Sequence, residues 1–268
     1  MKMNDHELKQ KLAQYYWYHT FPVTDTVNTP GDSRHVTLPD HIQTFYDKCI
    51  SFKDKSVIDI GCRDGRFCFD AERKGASTIV GVDIEVSKGV TEFLIPFLGS
   101  KVEMREKSIC DMSAEQDGQF DIALFCGCLY HLRHPFWALN KLSEVVKEGG
   151  ELIIETAVWT DTTNKPLLFC PSHGREGPYG GDSVTFFNIY GLKDSLKSFG
   201  FEVLDEWEPR PDGNYPPHLQ ARRSILYCRK LEEVGSQHLR DHWNGEVNDF
   251  WNLSEESGRG PFSQIDKK

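Results

Sequence analysis

The sequence predicts an α/β domain built on an open, mainly parallel sheet, and three observations predict it. Between Ser56 and Arg229, short apolar runs alternate with stretches of helical character. The run VIDIGCRDG, Val57 to Gly65, passes from a buried strand into a helix through a turn holding two glycines. Acids then close the first strands in succession, Asp59 and Asp83 at strand ends and Asp111 just after the third.

Val57 to Ile60 is the first strand, followed by a helix through Lys74 that Gly75 closes. Ile79 to Val82 is the second, with a weaker helix near Glu85 to Leu94 that Pro96 ends, and Val102 to Glu106 the third. Phe120 to Cys126 reads as a strand buried on both faces, because FDIALF has no alternation. The next helix starts at Pro135 and carries Phe136, Leu139, Leu142, Val145 and Val146 on one stripe until Gly149. Glu151 to Val158 is the fifth strand. Residues 159–187 form a Gly/Pro-rich insertion, long enough to cover a site. Asn188 is the expected N-cap of a helix ending at Gly200, and Phe201 to Trp207 and Ser224 to Arg229 complete the sheet. Residues 1–40 read as aromatic and irregular, with 1–50 as an arm or lid, 51–230 as the main domain, and 231–268 as a polar tail.

The chain has 268 residues, with 31 Lys plus Arg against 41 Asp plus Glu, a formal net charge of −10. That is the length of one large domain with a sizeable core. The acidic balance disfavours a nucleic-acid partner and favours a small-molecule one. No stretch approaches the roughly 20 apolar residues of a membrane span, and Met1 to Gln10 has no secretory core, so the expectation is a cytoplasmic protein. Of the eight cysteines, Cys62, Cys68, Cys110, Cys126, Cys128 and Cys228 sit in apolar runs, as reduced thiols do. Oligomeric state is not encoded legibly.

The chemistry concentrates at the carboxyl ends of the strands. Gly61 and Gly65 let backbone approach a ligand, with Cys62 and Arg63 between them, and Asp59 can accept from an ammonium group. Asp83, ending the second strand beside Ile84, stands where a carboxylate takes both hydroxyls of a ribose. Asp111 and Met112 stand where an adenine edge would be read, and Cys126 and Gly127 end the fourth strand over the same crevice. His131 is the first candidate for a general base, against a packing role, and Tyr130 a candidate for orienting the donor. His134 precedes Pro135 and helps start a helix or touches substrate. Tyr18 and His19 can close over the ligand as a lid, and His173, Arg175, Tyr179 and Asp182 are the polar residues of the insertion able to read an acceptor. The spacing of Cys126, Cys128, His131 and His134 does not make a metal site, because the cysteines close a strand rather than a knuckle. A nicotinamide fingerprint is excluded, since its three glycine slots hold Gly61, Arg63 and Arg66.

Over residues 50–230 these motifs resemble the class I S-adenosylmethionine (SAM) dependent methyltransferases. The Asp-x-Gly run, the acid ending the second strand, and FDIALFCGCLYHLRHP after the fourth carry the likeness. It implies a Rossmann-like, seven-stranded sheet with an antiparallel last strand, and SAM as cofactor across the first strands. WYHTF (Trp17 to Phe21), GCLYHLRHP (Gly127 to Pro135), ELIIET (Glu151 to Thr156) and RSILYCRK (Arg223 to Lys230) resemble more closely the tRNA wobble-uridine carboxymethyltransferases, which use carboxy-SAM. Of that family's carboxylate-recognising residues, Tyr130 and Arg223 have counterparts here. The family's N-terminal lysine does not; Tyr18 is nearest in register. Arg63 replaces the usual glycine of the cofactor loop, so either the backbone there avoids positive φ or the guanidinium turns outward. The leading expectation is methyl transfer to a small molecule, at a hydroxyl of a sugar or secondary metabolite. Carboxymethyl or methyl transfer to a tRNA wobble uridine, and a catalytically silent SAM-fold partner subunit, are the alternatives.

Overall fold

The computed structural model describes residues 3–161, 163–171, 183–208 and 221–231. Seven strands form one sheet: β1 (Ser56–Ile60), β2 (Thr78–Asp83), β3 (Glu103–Glu106), β4 (Phe120–Cys126), β5 (Val146–Trp159), β8 (Phe201–Trp207) and β9 (Ala221–Lys230). Their order is β3-β2-β1-β4-β5-β9-β8. The β1–β2, β1–β4, β2–β3 and β4–β5 pairs are parallel, whereas β9 runs antiparallel to both β5 and β8. The strand order reverses between β1 and β4, which opens a crevice at their carboxyl ends. A two-stranded pair, β6 (Leu168–Phe169) with β7 (Phe186–Phe187), flanks the sheet.

Each face buries its own apolar layer. One layer holds Val57, Ile79, Ile122, Ile153 and Ile225 against α2 (Thr37–Cys49), α3 (Arg66–Arg73) and residues of the arm. The other packs Ile58, Val80, Ala123, Ile154 and Leu226 against α6 (Pro135–Val145) and α7 (Ile189–Ser198). The central strands therefore read as continuous apolar runs, since both faces are covered.

The N-terminal region is more ordered than its composition predicts. Helix α1 (Asp5–Leu12) opens with a capping box, Asn4 accepting from the Glu7 N–H while the Glu7 carboxylate accepts from the Asn4 N–H. Leu8 and Leu12 face inward with Trp17, Phe21, Val23 and Val27, so the arm is built into the first layer of the core. The Trp17 indole donates to the Leu12 carbonyl at 2.8 Å, which gives its buried N–H a partner.

Two further boundaries differ from expectation. The chain stays helical through Gly89–Leu94 into α4 (Ile95–Leu98), with Pro96 in the first turn of α4 rather than ending the helix. Helix α6 ends at Val145 and β5 begins at Val146, so Gly149 and Gly150 lie within the strand. The buried Lys230 ammonium from β9 donates to the carbonyls of Ser143 and Val146, satisfying acceptors at this abrupt helix end. α7 begins after Asn188, whose side chain accepts from Gly191 N at 2.8 Å, as the sequence predicts. Among the described residues no helix is long and apolar enough to cross a membrane.

Candidate active site

The loop after β1 is shaped by three left-handed residues, Gly61 (φ 78°), Arg63 (φ 51°) and Gly65 (φ 71°). Of the two alternatives for Arg63, the backbone keeps positive φ and the guanidinium turns outward to the Glu85 carboxylate at 2.8 Å. The loop is tied to β2: Gly61 N donates to Val82 O at 2.7 Å and Arg63 N to Asp83 Oδ2 at 2.9 Å. Glu85 N donates to Asp83 Oδ1 at 3.0 Å, so two backbone donors orient the carboxylate and lone pairs remain for a ligand. Gly65 opens α3 without any side-chain cap, which leaves the first N–H groups of that helix available to a ligand.

These features fit SAM. Ile84, next to Asp83, is 75% exposed and offers an apolar wall for a planar base beside an acid suited to a ribose. At the end of β4, a Cβ on Gly127 would meet nothing within 4 Å, so its backbone borders open space. Asp59 is 2% exposed, and its described donor is the Cys68 thiol at 3.4 Å. Burial, with the charges of Asp83 and Asp64 nearby, raises its carboxyl to about 7. A cationic ammonium is the partner such a group lacks. Asp111 is exposed after β3.

Other predicted residues are placed differently. Met112 is fully buried in the second apolar layer and Cys62 is buried in the first, so neither side chain reaches the crevice and only their backbones can serve it. The Cys128 thiol fills the space beneath Gly61, 1.8 Å from where a Cβ would stand, and burial raises its pKa. No cluster of three or more potential metal ligands exists among the described residues. His131 is exposed, its ring 4.1 Å from that of Tyr130, and His134 is exposed at the start of α6 without capping it. His173, Arg175, Tyr179, Asp182 and the tail 232–268 lie outside the described residues.

A second cluster stands across the crevice. Arg223 on β9 donates through Nε and Nη2 to the two Glu155 oxygens at 2.5 and 2.6 Å, a bidentate buried pair. Its guanidinium lies 4.5 Å over the Tyr130 ring. Burial and the neighbouring Tyr130 push the Tyr18 phenol up to about 12, so it is a neutral donor. Asp64, in the cofactor loop, was not among the predicted residues, yet it holds the arm: Oδ2 accepts from Tyr18 N at 2.8 Å and His19 N at 2.7 Å, and Oδ1 lies 2.5 Å from His19 Nδ1. Its place between Arg63 and Gly65 was the available signal, as an acid within ELIIET was for Glu155.

This fold, with an acid closing β2 and a glycine loop after β1, defines a class I SAM-dependent methyltransferase. The methyltransferase domain family matches residues 33–206, and the chain belongs to that family. Among curated proteins, the tRNA U34 carboxymethyltransferase of Helicobacter pylori (strain Shi470) is 34% identical over 158 residues, covering 57% of this chain and 58% of that protein. That of Helicobacter acinonychis (strain Sheeba) is 35% identical over 124 residues, covering 45% and 47%. The chain thus matches only about half the length of these relatives. Among solved structures, the N-terminal domain of EvdMO1 with SAH bound superposes with a TM-score of 0.61 at 19% identity, covering 85% of this chain and 98% of that one. That likeness supports the fold.

Proposed function

We propose that the protein uses SAM to methylate a small, uncharged acceptor, at a hydroxyl of a sugar or a secondary metabolite. The observation that carries this reading is the pairing of three arginines around the crevice, among the described residues. Arg63 is matched by Glu85, Arg66 by Asp40 and Arg223 by Glu155, in a chain of net charge −10. A polynucleotide acceptor needs cations left over for its phosphates.

Bound SAM supplies an electrophilic methyl group, and the protein's own residues hold and align it. Asp83 takes the ribose hydroxyls, Ile84 and the backbone near Asp111 and Met112 border the base, and Asp59 with the Gly61–Gly65 loop receives the ammonium end. The arm excludes water from above, and Tyr18 and Tyr130 present neutral phenols to the transferred group.

A second reading, carboxymethyl transfer to a tRNA wobble uridine, is favoured by the curated relatives and by the joint presence of Tyr130 and Arg223. Calorimetric titration with SAM and carboxy-SAM, and of unmodified tRNA at about 50 and 200 mM salt, separates the two. The proposal expects SAM to be preferred and tRNA not to bind. Preference for carboxy-SAM with salt-sensitive tRNA binding overturns it.

A further inference from the structure

The arm and the cofactor loop meet in a histidine–carboxylate dyad. His19 Nδ1 lies 2.5 Å from Asp64 Oδ1, and the side chains are 13% and 1% exposed. Asp64 also receives the backbone N–H groups of Tyr18 and His19, so the carboxylate is fixed in place before any ligand arrives. A carboxylate accepts only, so Nδ1 carries the proton in the neutral imidazole and Nε2 bears the lone pair. We infer that His19 is the group that takes the acceptor's proton, with Asp64 holding its tautomer and stabilising the imidazolium. This rests on the methyl-transfer reading of the same site and replaces His131 in that role.

Three observations support it. His19 is shielded from bulk water yet not sealed off, whereas His131 is exposed. Its neighbour Tyr18, ring to ring at 4.7 Å, has the Arg63 guanidinium 5.9 Å from its own ring, so this part of the arm borders the loop after β1. Its partner Asp64 belongs to the loop whose next residue, Gly65, starts α3. In the step, the acceptor's O–H bond breaks and its proton passes to Nε2. The oxygen pair forms the new C–O bond to the methyl carbon as the C–S pair returns to sulfur, leaving a neutral thioether and an imidazolium beside Asp64.

Around His19 stand Asp64 and Arg63 from the loop, Tyr18 and His35 from the arm, and Arg66 and Phe67 from α3. His35 stacks on Tyr18 at 4.0 Å, and Arg66 donates to Thr20 O at 2.8 Å. Phe67 stands 6.4 Å from the His19 ring.

The test needs no acceptor. Long-range proton–nitrogen NMR of the histidine-labelled full chain reads tautomer and titration midpoint. His19→Asn, whose amide nitrogen reproduces Nδ1 but not Nε2, assigns the signals. The expected result is the Nδ1–H tautomer, with a midpoint about half a unit or more lower with sinefungin than with S-adenosylhomocysteine. Sinefungin carries an ammonium where the transferable methyl stands, so an imidazole facing the transfer position meets a nearby positive charge that S-adenosylhomocysteine lacks. Asp64→Asn, whose carboxamide can donate as well as accept, should reduce the Nδ1–H fraction. An Nε2–H tautomer, or equal midpoints with the two ligands, overturns the assignment and leaves His19 as a clasp for the arm. Failure of both ligands to bind overturns the cofactor reading itself.

Discussion

Replacing Asp59 by Asn removes a carboxyl that folding has moved from the usual range near 3.9 to about 7. The sign follows from proton counting. Between pH 4 and 7 the folded state holds a proton that the unfolded state has released, so stability falls as pH rises through that window. With those two values, the loss between pH 5 and pH 8 is about 2.5 kcal/mol. The group is fully buried, so no solvent screening reduces the figure. Asn is nearly isosteric and does not titrate. Urea unfolding of the ligand-free wild type and Asp59→Asn at pH 5 and 8 should show the variant gaining about 2.5 kcal/mol relative to wild type at the higher pH. SAM, whose ammonium favours the ionised carboxyl, should narrow the gap for wild type and bind Asp59→Asn less tightly. A difference between the two proteins that does not change with pH would refute the argument.

Three other substitutions divide fold from site. Gly127→Ala places a methyl in open space at φ 76°; it should cost about 1 kcal/mol in urea unfolding and reduce SAM affinity measured by calorimetry. Gly61→Ala drives a Cβ into the Cys128 thiol and should lower the thermal midpoint of the ligand-free protein more than Gly127→Ala does. Glu155→Gln leaves Arg223 buried beside Tyr130 without its counter-charge, and urea unfolding should show a loss of about 3 to 5 kcal/mol.

The strands were legible because burial on both faces writes uninterrupted apolar runs such as FDIALF. Asp83 was legible because a strand end followed by an acid is a local pattern. α1 was missed although Asn4 and Glu7 spell its capping box, since only Leu8 and Leu12 mark its buried face. Pro96 misled because a proline that can end one helix can equally begin the next. What no window of sequence contains is pairing across the fold: His19 meets Asp64 over 45 positions, and Arg223 meets Glu155 over 68. The role of Arg63 was undecidable locally, because its positive φ depends on the bond from its N–H to Asp83, 20 residues away.

The central claim, that the crevice between β1, β2 and β4 holds SAM, is tested most directly by calorimetric titration of ligand-free wild-type protein and Asp83→Ala with SAM. The account predicts binding to the wild type that weakens by about 1.5 to 3 kcal/mol when the carboxylate and its charge-assisted bonds to the ribose are removed. A folded wild type that does not bind SAM, or a variant that binds it equally well, would contradict the account.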